Sequence, residues 1–177
     1  MTTTESNSAG KTRDIPRPKV KPQKEHDWLH KLVGDWTCEM ECSMGPGQPT
    51  MTSTAIESVR SLGGLWTIGE GRCDGPDGVP MISIMTLGYD PRKQKFVGTF
   101  AASMMTHLWT YEGNLDPSGR ILTLHTEGPS AMGDGTLARY QDIIEFVNDD
   151  HRTLRSKTPG EDGAWHEFMI AHYRRQT

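Results

Sequence analysis

A short amphipathic segment that leads directly into a strand constrains the fold of this chain more than any other feature. The predicted helix at 23–33 carries four apolar side chains on one face: Trp28, Leu29, Leu32 and Val33. Gly34 follows as a helix stop, and from Asp35 the apolar residues recur at every second position. Because about three turns of helix are not stable alone in water, this helix must dock on the structure that follows it.

The rest of the chain predicts ten strands joined by turns. In the first strand, which starts at Asp35, the alternating apolar side chains are Trp36, Cys38, Met40, Cys42 and Met44. The other strands are predicted at 51–61, 65–73, 81–89, 95–104, 107–115, 121–127, 136–147, 152–158 and 165–174. Gly, Pro and Asp between them favour turns. Short connections predict an up-and-down antiparallel meander, and closure into a barrel removes its exposed edges. The expected fold is an all-β barrel of about ten strands with the helix capping one end.

Charge and composition divide the chain into a leader and one domain. Residues 1–22 contain several prolines and five Lys or Arg against two Asp or Glu, which predicts a disordered leader before a domain at 23–177. Since the leader carries +3 and the whole chain −4, the domain carries −7. Phosphates repel such a surface, which excludes nucleic acid as a partner. No apolar run approaches the roughly 18 residues of a membrane span, and no secretory segment is visible, so we expect a cytoplasmic protein that does not enter membranes.

The three cysteines Cys38, Cys42 and Cys73 form no C-x-x-C pair. Cys38 and Cys42 lie four residues apart on one predicted strand, too far apart for a disulfide between them. Both share the parity of Trp36, which is expected to face inward. We therefore expect reduced, packed thiols that react slowly with thiol reagents.

The histidines suggest two candidate sites, one for a metal ion and one for haem. His26 and His30 are spaced i, i+4 beside Asp27, as in helical zinc sites, which also need a third protein ligand. The same spacing suits the polar edge of a capping helix, which is the interpretation we favour. His166 or His172, near the last strand, could supply an axial haem ligand inside a barrel, but a hydrogen-bonded structural role is the more common one. We predict no metal site.

The width of the expected barrel favours a pocket over a packed core. Side chains can just fill a barrel of roughly eight strands, and this one has about ten. Small residues on the central strands leave further room: Gly69, Gly71, Gly98, Ala101, Ala102 and Ser103. The predicted ligand-binding residues are Trp36, Met40, Trp66, Tyr89, Phe100, Trp109, Tyr111 and His125. This largely apolar wall suits a small hydrophobic or amphipathic ligand.

Two classes of function follow from these residues. The first is a module that binds a small molecule inside the barrel, and the alternative is a barrel enzyme or a haem protein that uses lumen histidines. A purely structural interaction protein is a third. Neither Ser103 nor Ser130 lies in a nucleophile elbow, so we predict no catalytic residue and favour binding over catalysis.

Several short motifs occur in order along residues 23–175. They include Leu32–Trp36, Ser61–Gly64, Leu87–Pro91, Phe96–Phe100, Tyr111–Gly113 and Tyr173–Arg175. With these motifs the chain resembles the bacterial lipocalin-like proteins catalogued as domain of unknown function 1579. The resemblance implies a lipocalin-like barrel with no established activity. In lipocalin-like folds a basic residue of the last strand lies over the Gly-x-Trp indole, which predicts Trp36 at a closed end of the barrel beneath Arg174 or Arg175.

Overall fold

The computed structural model describes residues 20–43, 49–75, 77–130 and 133–176. Within these residues it contains one helix, α1 (Lys24–His30), and ten strands. The strands are β1 (Gly34–Cys42), β2 (Met51–Leu62), β3 (Trp66–Asp74), β4 (Pro80–Asp90), β5 (Lys95–Ala102), β6 (Trp109–Leu115), β7 (Ile121–Pro129), β8 (Leu137–Asn148), β9 (His151–Pro159) and β10 (Trp165–Arg175). Residues 1–19 of the predicted leader, and Met44, lie outside the described residues.

The strands close into one antiparallel barrel, which confirms the predicted meander. Each strand pairs with its neighbours in sequence, and β1 also pairs with β10. Strand β5 ends at Ala102, before the predicted residue 104, because the chain turns there. Ser103 Oγ accepts a hydrogen bond from the backbone of Ile82 at 3.0 Å, and Met105 N donates to Ala102 O at 3.1 Å.

Helix α1 covers the end of the barrel at which β1 begins, called here the closed end. The helix stops at His30 and not at residue 33, and a hydrogen-bonded turn follows it. Trp28 enters the barrel, where its ring meets Phe96 and Phe146 edge to face at 5.6 and 5.4 Å. Its Nε1 donates to the backbone oxygen of Gly119 at 3.0 Å. One aromatic side chain thus joins the helix to β5, to β8 and to the connection between β6 and β7.

Apolar side chains fill the closed end. This buried core comprises Trp28, Leu29, Leu32, Trp36, Val59, Leu87, Phe96, Tyr111, Leu122, Leu124, Ile144 and Phe146. Where one strand contributes two of them, as β7 does with Leu122 and Leu124, they follow the strand period of two. The ten-stranded barrel is therefore packed in this half.

Trp36 lies fully buried beneath Arg175, as predicted, with the guanidinium 4.2 Å from the ring centre. Arg175 also donates to the backbone oxygens of Val33 and Lys31, at 2.7 and 3.0 Å. Gly34 allows this approach, because it has a φ of +136° and a Cβ there would lie 2.5 Å from the Arg175 side chain. The glycine before the tryptophan therefore gives the last strand access to the end of α1.

The opposite end of the barrel is called here the mouth. β1, β3, β5, β7 and β9 end there, and the described connections at 103–108 and 160–164 lie there. No helix in the described part of the chain is long and apolar enough to cross a membrane.

Candidate ligand-binding site

The inward-facing residues change in character from the closed end to the mouth. Cross-strand pairs such as Cys38 with Ala55 and Phe100 with Trp109 place alternate residues on the inner face. In the mouth half several inward side chains remain partly exposed: Met40, Cys42, Ala55, Cys73, Ser83, Phe100 and Trp109. Because the strands form a closed wall, the exposed surface of these seven side chains faces the lumen. We call this set of side chains the mouth lining.

A buried ion pair lies inside the barrel next to the packed half. Arg152 on β9 pairs with Glu57 on β2, and the two side chains are 4% and 14% exposed. The guanidinium also stacks on Tyr173 and Trp36, at 3.9 and 4.8 Å from the ring centres. Arg152 Nε has no hydrogen-bond partner, but a cavity of about 20 Å³ lies beside it. That space suits a single water molecule.

A second polar cluster is centred on Asp142 of β8. The Tyr111 hydroxyl donates to one carboxyl oxygen at 2.6 Å, and the Ser156 hydroxyl donates to the other at 2.5 Å. Burial raises the pKa of Asp142, and the two hydrogen bonds oppose that rise. Thr126, on the strand between Tyr111 and Asp142, has a buried hydroxyl without a partner. This cluster was not identified from the sequence, although Asp142 has the same parity as the apolar residue Ile144.

Aromatic side chains lie between this cluster and the mouth. Tyr140 meets Trp109 at 5.1 Å and Phe168 at 6.1 Å between ring centres, both edge to face. The Tyr140 hydroxyl donates to the backbone oxygen of Pro129 at 2.7 Å. The sequence pattern does not mark Phe168 as an inward residue, because the register of β10 shifts between Glu167 and Met169 and the simple alternation fails there.

The eight predicted ligand-binding residues fall into three groups. Met40, Phe100, Trp109 and Tyr111 face the lumen, in the mouth lining or at the Asp142 cluster. Trp36 and Tyr89 belong to the closed end, where Trp36 is fully buried and Tyr89 packs on Phe96.

Trp66 and His125 lie outside the barrel, contrary to expectation. Trp66 is 39% exposed and covers Gly88, where a Cβ would overlap its ring. Its neighbour Thr67 faces inward and is buried. His125 is exposed opposite Glu112, because the inward positions of β7 belong to Leu122, Leu124 and Thr126.

Three of the small residues expected to leave open space have different roles. Gly98 is needed for close packing, since a Cβ there would overlap Thr86 and Leu87. Gly69 makes room for Glu57, whose carboxyl oxygen would lie 3.0 Å from such a Cβ. Ala101 is exposed on the outer face. Space for a ligand in the lumen must therefore come from the mouth half.

The histidines considered as metal or haem ligands have other environments. His26 Nδ1 accepts a hydrogen bond from Gln23 N at 2.9 Å, whereas His30 is exposed. His172 is hydrogen-bonded to His151 at 3.2 Å, and His166 is 59% exposed next to Asp162 in the mouth. Among the described residues no group of three or more His, Cys, Asp or Glu could hold a metal ion.

All three cysteines are free thiols. Cys38 is buried, and burial raises its pKa to about 11. At neutral pH its thiolate fraction is therefore very small, which disfavours a nucleophilic role.

Apolar side chains surround the entrance to the lumen. Seven large residues in or beside the connections of the mouth are exposed: Met51, Val79, Met104, Met105, Leu108, Leu137 and Trp165. A depression of about 420 Å³ lies between the β5–β6 connection and Pro129. An apolar entrance above a lumen with polar groups suits the passage of an amphipathic molecule.

The fold and the lumen define a closed ten-stranded barrel protein with an interior that is accessible from one end. Residues 21–175 match the family described as "Protein of unknown function (DUF1579)", and the chain belongs to this family. A search of curated proteins found no match to the sequence.

Two solved structures have similar barrels. The S-type phycobiliprotein lyase CPES from Guillardia theta is 13% identical, with a TM-score of 0.55 over 88% of this chain and 99% of that chain. Rv2717c from M. tuberculosis is 14% identical, with a TM-score of 0.57 over 85% of this chain and 96% of that chain. At these identities the similarity shows the fold alone.

Proposed function

We propose that this protein binds a small apolar or amphipathic molecule in the mouth half of its barrel. The observation that carries the proposal is the partial exposure of inward-facing apolar side chains such as Met40, Phe100 and Trp109. Exposed apolar surface inside a concave wall is unfavourable in water and favours occupation by an apolar ligand. The closed half is packed, with a cavity of about 20 Å³, so the ligand enters from the mouth.

With polar groups in its lumen, the barrel can select among ligands more strictly than a purely apolar pocket could. A ligand that entered through the apolar rim would meet the rings of Trp109 and Tyr140 first, and the carboxyl group of Asp142 beyond them. A binding role requires only contact with these side chains and no chemical reaction of them. An enzymatic or haem-dependent role has less support, since none of the seven histidines is buried in the mouth half.

The proposal is tested by titrating the protein with the apolar fluorophore N-phenylnaphthylamine. We expect binding with a Kd below about 100 μM, equivalent to about −5.5 kcal/mol. Native mass spectrometry of protein purified from its own host should in addition reveal a retained small molecule.

Two tryptophans provide a matched pair of variants. Trp109→Leu removes an inward ring and should weaken binding at least tenfold, whereas Trp66→Leu makes the same change outside the barrel and should leave the affinity unchanged. Equal effects of the two substitutions, or no binding of the fluorophore to the unchanged protein, would refute the proposal.

A further inference from the structure

Asp142 is an inward-facing acid without a cationic partner among the described residues. The other inward acid of the lumen, Glu57, is paired with Arg152. The contacts of Asp142 are the hydroxyl groups of Tyr111 and Ser156, which are neutral donors. Its carboxylate charge is therefore stabilised by hydrogen bonds but is not balanced by a positive charge.

Asp142 also keeps some exposed surface inside the barrel. Asp142 shares its face of β8 with Tyr140 and Ile144, which are 8% and 2% exposed. Asp142 itself is partly exposed. Since this face points inward, the exposed surface of Asp142 opens into the lumen.

Aromatic rings accompany this carboxyl group on the side of the mouth. Tyr140 and Trp109 precede Asp142 and Tyr111 by two residues and share their inward faces. The Trp109 and Tyr140 rings lie 5.1 Å apart, and Phe168 lies 6.1 Å beyond Tyr140. The faces of such rings attract cations, and a carboxylate beside them adds an opposite charge.

We propose that the lumen recognises a ligand with an ammonium group on an apolar body, with Asp142 as the counter-charge and Trp109 and Tyr140 beside the path to it. This inference rests on the proposed function and names the chemical class of the ligand. The ammonium group donates hydrogen bonds to the remaining lone pairs of the carboxylate, and the apolar body covers the mouth lining. A carboxylate ligand is disfavoured, because it would place a second negative charge beside Asp142.

The experiment compares three ligands with the same chain length: n-octylammonium, n-octanol and octanoate. Binding of each is measured by isothermal titration calorimetry to the unchanged protein and to Asp142→Asn. Asp74→Asn is the matched control, since Asp74 is an exposed acid at the end of β3 that lies at the mouth. We expect the unchanged protein and the control to bind octylammonium at least tenfold more tightly than octanol, with octanoate weakest. Asp142→Asn should remove this preference.

A pH series on the unchanged protein gives the same answer without a substitution. The affinity for octylammonium should fall as the pH is lowered through the pKa of Asp142, whereas the affinity for octanol should not. Among the residues that face Asp142, Tyr111 is the titratable group, while Ser156 and Leu124 do not titrate in this range.

The outcomes separate the two proposals. The inference is overturned if the unchanged protein does not bind octylammonium more tightly than octanol, or if Asp142→Asn still does. Either result leaves the proposed ligand binding intact. If the folded protein binds neither the three probes nor N-phenylnaphthylamine, the proposed function fails as well. If Asp142→Asn does not fold, Ser156→Ala keeps the carboxyl group and should keep the preference, and the pH series then decides.

Discussion

At the scale of single residues, Trp36 contacts three distant parts of the chain: the turn after α1, β9 and β10. Trp36 Nε1 donates to the backbone oxygen of Leu32 at the end of the helix turn, at 2.9 Å. Arg175 covers its ring from the last strand, and Arg152 approaches it from β9. The sequence resemblance predicted the contact from β10 but not the one from β9, because the resemblance concerns only the last strand and β9 does not pair with β1.

We predict that Trp36→Ala lowers the free energy of unfolding by about 3–5 kcal/mol, the range for truncating a buried aromatic side chain. The substitution leaves a cavity and also removes the ring on which two guanidinium groups lie. Urea denaturation measures the effect, with Trp66→Ala as the control, since Trp66 is 39% exposed on the outside. Losses of similar size in the two variants would contradict the closed-end packing.

Helix α1 is the element that decides which end of the barrel is closed. Its residues Trp28 and Leu29 are buried in the barrel, while Asp27 on the opposite side is exposed. A helix of seven residues has little intrinsic stability, so its docking depends on these side chains.

Trp28→Ala should therefore loosen the closed end. We expect a loss of about 3–5 kcal/mol in the free energy of unfolding, because the ring contacts with Phe96 and Phe146 disappear. Hydrogen exchange of the α1 amides should rise in the same variant. Asp27→Ala is the control and should change stability by less than about 0.5 kcal/mol, as for other surface positions. Slow exchange of α1 in Trp28→Ala would show that other contacts hold the helix.

The strands differ in how far their sequence specified their orientation. In β1, Trp36 and Cys38 alternate with exposed polar residues, and the inward face was predicted correctly. In β3 the inward residues are Thr67, Gly69 and other small or polar side chains, while Trp66 lies outside, so hydrophobicity alone indicated the wrong face. For His125 the signal was present, because Leu122 and Leu124 fix the inward parity of β7.

At the scale of the whole molecule, the lumen is divided between a packed half and an accessible half. Turn residues in the sequence predicted the number and order of the strands, and hence the closed barrel. The division of the lumen was not predictable in the same way. It depends on which side chains meet inside the barrel from strands that do not pair, such as Glu57 and Arg152, which lie 95 residues apart. Strand tilt and stagger set these contacts, and hydrophobic periodicity does not encode them.

The Glu57–Arg152 pair concerns the molecule as a whole, because it joins β2 to β9 inside the barrel over the two strands between them, β1 and β10. Glu57→Gln leaves a buried guanidinium without its counter-charge and should cost about 3–5 kcal/mol in the free energy of unfolding. The double variant Glu57→Gln/Arg152→Met removes both charges. Since replacing a buried ion pair by neutral side chains is often close to neutral, we expect the double variant to be more stable than Glu57→Gln alone. Chemical denaturation of the single and double variants measures this difference. A double variant that is less stable than Glu57→Gln would show that the stacking of Arg152 on Trp36 and Tyr173 stabilises the barrel more than burial of its charge destabilises it.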